Sequence, residues 1–153
     1  MPEPAAPRGC TNLKLRQLTR RVGHTYDTAL AKAGLKITQY SLLSFVVKLG
    51  PVRSVDLAAH LHMDASTLSR NLRPLLAAGW LRLDPGPDAR THAVVATEEG
   101  RAKRTEAQLH WKAAQEAVNT TLGPERVAAL HALIDDALLR LDERGGTALE
   151  IER

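Results

Sequence analysis

The sequence predicts an α+β protein that is mainly helical and carries one small β-hairpin. Apolar residues recur at helical spacing over most of the 153-residue chain. Only two short segments, residues 80–83 and 92–96, alternate apolar and polar residues as strands do. The 44% hydrophobic and 25% charged residues are typical of a globular protein, and the length fits a single domain.

Two helices are predicted in the first third of the chain. The first covers residues 11–33 and ends at Gly34, a residue that commonly terminates helices. The second covers residues 38–48, and the Gly50-Pro51 pair ends it. Residues 1–9 are rich in proline and small side chains, which predicts a loose arm.

A helix-turn-helix is predicted next. Ser54 is placed to cap a short third helix over residues 55–60, and Asp64 to cap a fourth helix that starts at Ala65 and stops at Gly79. The fourth helix has an apolar stripe at spacing i, i+4, i+7, i+8, formed by Leu68, Leu72, Leu75 and Leu76. Two helices joined by a turn of three or four residues have the layout of a helix-turn-helix.

The chain then changes period twice. The strands 80–83 and 92–96 enclose a polar, turn-forming loop, and two strands directly after a helix-turn-helix make a wing. Thr97 is predicted to cap a long helix that runs to about residue 120. Pro124 starts a last helix with a continuous apolar face, which Gly145-Gly146 is predicted to end.

Composition excludes several classes of protein. Five aromatic residues are too few for the stacking platforms of RNA-binding sheets and single-strand grooves. No segment is apolar enough to span a bilayer, and no signal-peptide core is seen, so a soluble cytoplasmic protein is expected. The single cysteine, Cys10, excludes an intramolecular disulfide framework and a cysteine-based zinc finger.

Charge is distributed unevenly along the chain. Residues 1–50 carry a balance of +6 and residues 51–104 of +2, whereas residues 105–153 carry −4. A basic front suggests that one side of the molecule faces a polyanion, although a solvated pattern without a partner would look the same.

The start of the fourth helix supplies candidate DNA contacts. An Asp64 cap is expected to leave the first backbone N–H groups of the helix pointing outward, where a phosphate oxygen can accept from them. Ser66, Thr67 and Ser69 carry short hydroxyl side chains that would let the helix approach base edges in the major groove. The alternative is that Ser66 and Thr67 serve only the helix start.

Basic residues of the helix-turn-helix and wing are further candidates. Arg70 and Arg73 are three residues apart, so they share a face, and either could make a bidentate contact to guanine. Asn71 is a second candidate reader, and phosphate contacts are predicted for Arg53, Arg82 and His92. Pro74 lies inside the fourth helix. It predicts either a kink there or that the part of the helix that contacts bases ends near Arg73.

The wing tip carries the strongest single candidate, Arg90. An arginine there could enter the narrow minor groove, where the negative potential is focused. Asp88 would orient the guanidinium through a charge-assisted hydrogen bond. The alternative is an ordinary surface ion pair, worth under about 1 kcal/mol.

These motifs resemble the MarR-type winged helix-turn-helix regulators from about Cys10 to Leu141. Asp88-Ala89-Arg90 followed by Val94-Val95-Ala96-Thr97-Glu98-Glu99-Gly100 matches that family's Asp-x-Arg, short strand and Thr-x-x-Gly. The run Asp64-Ala-Ser-Thr-Leu-Ser-Arg-Asn-Leu-Arg-Pro-Leu resembles its recognition helix. Gly34-Leu35 with Thr38-Gln39-Tyr40-Ser41-Leu42-Leu43 resembles the entry to its second helix.

The resemblance implies one subunit over residues 10–153, with a winged helix-turn-helix over 35–100 and helical dimerisation regions over 10–33 and 101–144. It also implies a homodimer with interleaved terminal helices, which the long apolar face of the last helix supports independently. The expected function is sequence-specific binding of double-stranded DNA at a pseudo-palindromic operator, with half-sites about one helical turn apart. Repression, relieved by a small phenolic or other lipophilic effector, is the family default.

Effector sensing has two candidate sites. The resemblance implies a pocket between the dimer helices and the DNA-binding lobe, for which the candidates are His24, Tyr26, Tyr40 and Phe45; the alternative is that these are core residues. Relatives that sense organic hydroperoxides use a reactive cysteine near the start of the first helix with partner tyrosines. Cys10 resembles that residue, with Tyr26 and Tyr40 as partners, but it lies two residues further from Tyr26 than the pattern requires. The alternative is a passive thiol.

Other function classes find little support in the sequence. No glycine-rich phosphate loop, paired carboxylates or Ser/His/Asp motif is present, so no catalysis and no cofactor are expected. His60 and His62 lack partners at metal-ligand spacing, and no metal site is predicted. A winged helix that binds protein rather than DNA remains the alternative module, although it would not need basic residues on one face.

Overall fold

The computed structural model describes residues 6–88 and 91–151, and over residues 144–151 it describes the backbone alone. In chain order the elements are α1 (Thr11–Leu30), a 3-10 turn (Ala31–Ala33), α2 (Ile37–Leu49), β1 (Val52–Arg53), α3 (Ser54–His60), α4 (Ala65–Ala77), β2 (Leu81–Pro85), β3 (His92–Ala96), α5 (Glu98–Leu122) and α6 (Pro124–Ile151). This order confirms a mainly helical winged helix-turn-helix fold. The chain divides into two units, Met1–Ala114 and Gln115–Arg153.

Helix α2 begins within one residue of the prediction, whereas α1 ends at Leu30, three residues before its predicted end, and a 3-10 turn occupies residues 31–33. Gly34 follows the 3-10 turn with φ at 73°, a left-handed conformation that glycine adopts without steric cost. The Asp27 carboxylate on α1 accepts a hydrogen bond from the backbone N–H of Ile37 at 2.8 Å, which fixes the start of α2 against α1. Gly50 ends α2, and a cis peptide bond joins it to Pro51.

The core of the first unit is aliphatic. Leu68, Leu72 and Leu75 of α4 are buried, and they belong to the same cluster as buried residues of α2, α3 and β3. Burial of each such side chain contributes roughly 1.5–3 kcal/mol, so the apolar stripe of α4 suffices to fix which face the helix turns outward.

Three antiparallel strands form the sheet, in the order β1-β3-β2. In the wing hairpin Leu81 pairs with Ala96 and Pro85 with His92. β1 pairs Val52 with Val94. The sequence did not predict this two-residue strand, which is too short to show any alternation.

The joint between wing and α5 is built on the Thr-x-x-Gly motif. The Thr97 hydroxyl donates to the backbone oxygen of Gly79 at 2.6 Å and accepts from the backbone N–H of Gly100 at 3.0 Å, so Thr97 caps α5 as predicted. Gly100 is buried, and a Cβ at this position would overlap the carbonyl oxygen of Trp80. The start of α5 therefore packs directly on the backbone before β2.

The second unit holds the end of α5 and all of α6. Its most evident feature is a set of apolar side chains on α6 that are exposed in the single chain: Leu133, Ile134, Leu138, Leu139 and Leu141. Four of them, all except Leu139, fall within one broad stripe of the helix at 100° per residue. Such a stripe is typical of a surface that a partner covers.

Two further predicted helix boundaries are wrong. Ser54 is not the cap of α3 but its first residue, and Arg53 precedes the helix in extended conformation. Gly145-Gly146 does not end α6, which continues to Ile151. A glycine inside a helix costs only about 1 kcal/mol, and it ends a helix reliably only where the chain turns left-handed.

Candidate nucleic-acid interface

The start of α4 is held by Asp64, as predicted. The carboxylate oxygen Oδ1 accepts the backbone N–H of Thr67 and the hydroxyl of Ser66, both at 2.7 Å. The hydrogen bond from the Thr67 backbone, followed by that from Ser66, lowers the pKa of Asp64 to about 2. Asp64 therefore stays ionised at neutral pH.

This cap changes one expectation. The backbone N–H of Thr67 does not point freely outward for a phosphate, because Asp64 already accepts from it. Ser66 is exposed, but its hydroxyl is engaged with the same carboxylate, and Thr67 is half-buried. Both residues thus serve the helix start, and Ser69 is the hydroxyl on α4 that lies fully on the exposed surface without such a bond.

The outward face of α4 carries Ser69, Arg70 and Arg73. All three are exposed, while Leu68 and Leu72 on the inner face of the helix are 2% and 5% exposed. Within the described ranges neither guanidinium has an ion pair, so both are available to an external anion. The arrangement brings two arginines and a short hydroxyl together on one helix face, and these side-chain types can donate hydrogen bonds to base edges in a major groove.

Asn71 and Pro74 occupy different environments on the same helix. The Asn71 amide lies 3.7 Å from the sulfur of Met63 and is half-buried, so it faces the turn between α3 and α4 rather than the exposed face. Pro74 is exposed, and α4 continues past it to Ala77. The proline removes the helical hydrogen bond to the Arg70 carbonyl without ending the helix.

The base of the wing loop is closed by backbone contacts. Gly86 donates its N–H to the carbonyl oxygen of Thr91 at 2.6 Å, and the Thr91 hydroxyl donates to the Asp88 carboxylate at 2.8 Å. A Cβ on Gly86 would overlap the Thr91 carbonyl, so the base of the loop needs glycine at this position. Arg90 lies outside the described residues, and its pairing with Asp88 remains a prediction.

Two of the predicted phosphate contacts are internally paired. Arg53 Nε lies 2.8 Å from Asp56 Oδ2, and Arg82 Nε lies 2.9 Å from Asp84 Oδ1, all on exposed side chains. Neither ion pair was predicted from the sequence, although opposite charges spaced three and two residues apart are consistent with both pairs. His92 is exposed at the start of β3.

The four candidate effector residues do not share one cavity. His24 is exposed in an open groove of about 890 Å³ along α1, and Phe45 lines a separate cleft. Tyr26 is half-buried, and burial raises its pKa. Tyr40 is only 5% exposed and stacks on Trp111 with ring centroids 6.0 Å apart, which is the environment of a core residue.

The remaining sequence features are Cys10, the potential metal ligands and the long helices. Cys10 is exposed at the residue before α1 and makes no side-chain capping bond. In the described part of the chain, His, Cys, Asp and Glu side chains form no cluster that could hold a metal ion. None of the helices searched in that part is long and apolar enough to cross a membrane.

Known proteins are similar to this chain in sequence and in fold. A family model described as MarR family matches residues 33–91. The uncharacterized HTH-type transcriptional regulator YwoH of Bacillus subtilis (strain 168) is 28% identical over 93 residues, which are 61% of this chain and 68% of YwoH.

Two solved structures extend the likeness to most of the chain. The M. tuberculosis transcriptional regulator MosR, solved in complex with DNA, is 30% identical with a TM-score of 0.74, and the match covers 86% of this chain and 98% of MosR. A mutant MarR from E. coli, solved with operator DNA, has a TM-score of 0.75 over 83% of this chain and 92% of MarR; at 22% identity it supports the fold alone. The chain belongs to the MarR family of winged helix-turn-helix transcriptional regulators.

Proposed function

We propose that this regulator binds double-stranded DNA sequence-specifically as a homodimer, that it represses transcription, and that a small-molecule effector releases it. The observation that carries the DNA contact is the outward face of α4. Its side chains Ser69, Arg70 and Arg73 are exposed and unpaired in the described ranges, and the helix start is fixed by Asp64. MosR and MarR, which share the fold, were both solved with DNA.

Each side chain has a defined role in the proposal. Arg70 and Arg73 donate to base edges in the major groove, where a bidentate arginine–guanine contact is the commonest specific pairing. Arg90 enters the minor groove from the wing, and Asp88 orients it. Arg53, Arg82 and His92 contact phosphates; the two arginines then share their charge between phosphate and their own carboxylates.

The homodimer follows from the apolar stripe on α6. Ile134 and Leu138 are 39% and 41% exposed, and Leu133 and Leu141 are 69% and 66% exposed in the single chain. A stripe of this length would be covered by a second copy. A two-fold dimer presents two recognition helices, so the operator is pseudo-palindromic with half-sites about one turn, roughly 10 base pairs, apart.

The test begins with selection of bound duplexes from a random pool by the full chain. We expect a pseudo-palindromic consensus, and Arg70→Ala and Arg73→Ala should each weaken binding to it by about 5- to 150-fold, corresponding to roughly 1–3 kcal/mol. Arg90→Ala should weaken binding also. Arg101→Ala, at an exposed arginine on α5 outside the helix-turn-helix and wing, serves as the matched control and should bind like wild type. Failure to enrich any sequence, or equal loss in the control, contradicts the proposal.

A second candidate function is redox sensing through Cys10, favoured by the exposure of its thiol at the start of α1. Exposed thiols near basic residues are the ones that oxidants modify, and Lys14 lies one turn away. If Cys10 is a redox sensor, organic hydroperoxide should release the wild-type protein from DNA and leave the Cys10→Ser variant bound. Equal release of both proteins removes the redox function and leaves the DNA-binding proposal intact.

A further inference from the structure

A groove lies between α4 and the wing. Its volume is about 280 Å³, and side chains of α3, α4, β2 and β3 line it, all within the first unit. On β2, Leu81 is 2% exposed, whereas Leu83, two residues further along the same face of the strand, is 43% exposed. The wing therefore separates from the core between these two residues, and the groove begins at this point.

The lining of the groove is mainly apolar. Val55 on α3 and Leu83 on β2 are 77% and 43% exposed, and the buried Leu68 and Leu72 line the groove from α4. Single exposed apolar residues are common on protein surfaces, but a concave lining to which three elements contribute is typical of a binding surface.

The polar part of the lining is basic. Ser69 and Arg73 line the groove from α4, and His92 lines it from β3. Among the described residues no carboxylate lines it, and neither Arg73 nor His92 has an ion pair. Ser69 and Arg73 also belong to the exposed face of α4 described above. The groove is therefore continuous with the candidate nucleic-acid interface, and its charge is suited to an anion.

A strand of DNA combines the two kinds of group that this lining fits. Each nucleotide presents an anionic phosphate and, beside it, the apolar carbon atoms of deoxyribose. One sugar–phosphate strand separates a major groove from the neighbouring minor groove. A duplex that meets α4 in its major groove and the wing in its minor groove must therefore pass one strand between these two elements.

We propose that the groove holds one deoxyribose–phosphate strand of the bound duplex, and that Val55 and Leu83 select deoxyribose over ribose at this nucleotide. The two apolar side chains pack on the sugar carbons, and His92 donates to the phosphate. A 2′-hydroxyl here would be buried against Val55 and Leu83 without a hydrogen-bond partner. The inference rests on the DNA binding proposed above, and it adds two residues that were not among the predicted DNA contacts.

The test is fluorescence anisotropy of the full chain with the selected operator and with a series of duplexes that each carry one ribonucleotide in place of a deoxyribonucleotide. Each substitution leaves every base edge unchanged. Binding should weaken by at least about fivefold at one or two adjacent positions in each half-site, because an unpaired buried hydroxyl costs this much affinity. Substitutions at other positions should bind like the operator made of DNA alone.

Two variants show whether the groove causes this loss. Val55→Thr adds a hydroxyl at nearly unchanged size, and Leu83→Thr replaces most of the apolar contact with a hydroxyl. Both should reduce the loss to about twofold or less, because the 2′-hydroxyl then has a hydrogen-bond partner. Leu49→Thr is the matched control, since Leu49 is 37% exposed at the end of α2 and does not line the groove. It should keep the full loss.

The outcomes separate this inference from the function on which it rests. Binding of the operator with equal tolerance of a ribonucleotide at every position overturns the inference alone. A loss that Val55→Thr and Leu83→Thr leave unchanged also overturns it, because the cause is then the shape of the duplex. Absence of specific binding to any duplex overturns the proposed function as well. If Leu83→Thr fails to fold, as thermal melting would show, the more exposed Val55→Thr decides.

Discussion

Asp64 caps the start of α4 with an ionised carboxylate. Its carboxylate accepts from the Thr67 backbone and from Ser66, and these hydrogen bonds lower its pKa to about 2 from an ordinary value of 3.8. A carboxyl whose pKa is lower in the folded than in the unfolded chain stabilises the fold above the unfolded-state pKa. That stabilisation is lost as the pH falls through the folded-state value.

Substitution of Asp64 should therefore act in a pH-dependent way. At about pH 7 we expect thermal melting to rank wild type first, Asp64→Asn second and Asp64→Ala last, because asparagine retains a capping oxygen but no charge. Between about pH 4 and pH 2 the advantage of wild type over Asp64→Asn should disappear. An advantage that stays constant over this range would contradict the role of the charge.

The same residue illustrates what could be predicted from sequence at this scale. An aspartate directly before a stretch of helical periodicity is a reliable cap, and the cap was found where expected. The burial of Ser44 Oγ and Arg104 Nε without a hydrogen bond could not be predicted, because sixty residues separate the two side chains in sequence. The pairing of Arg53 with Asp56 is local and could have been predicted from the spacing.

Between elements, the joint of wing and α5 brings backbone close to backbone. Gly100 lies in the first turn of α5, and its backbone N–H is bonded to the Thr97 hydroxyl at 3.0 Å. A methyl group at Gly100 would overlap the Trp80 carbonyl, whereas nothing lies within 4 Å of a Cβ added at Gly23 in α1. Alanine at Gly100 would therefore clash with the backbone, whereas alanine at Gly23 would have room.

Gly100→Ala should destabilise the protein by about 1–3 kcal/mol, since the backbone must move to admit the methyl group. Gly23→Ala should stabilise it by roughly 0.5–1 kcal/mol, as expected of alanine replacing glycine in an open helical position. Chemical denaturation measures both. Two shifts of the same sign would show that close backbone packing does not explain the glycine of the Thr-x-x-Gly motif.

Most elements could be predicted from periodicity and caps, but elements defined by tertiary pairing could not. Strands β2 and β3 and helices α2 and α4 begin and end within two residues of the prediction. Strand β1 exists because Val52 and Arg53 pair with β3, and nothing local in the sequence records this pairing. The end of α6 was misplaced because two glycines lower helix stability without preventing a helix.

On the scale of the whole molecule, the apolar stripe on α6 is the surface that the proposed homodimer would cover. Ile134→Lys places a charge in the stripe and should convert the dimer to a monomer in sedimentation velocity. Leu139→Lys is its control, because Leu139 is 60% exposed but lies on the opposite side of α6. If Leu139→Lys dissociates the protein and Ile134→Lys does not, the dimer uses a different face.

The central claim is that the exposed face of α4 and the wing bind a specific operator. Its most direct test is fluorescence anisotropy of the full chain against the DNA immediately upstream of its own gene, with excess competitor DNA and at several salt concentrations. We expect preference over competitor and a log–log salt slope of several units, since each phosphate contact contributes about 0.9. Binding that shows no preference and does not change with salt would contradict the account, and would favour a winged helix that binds protein.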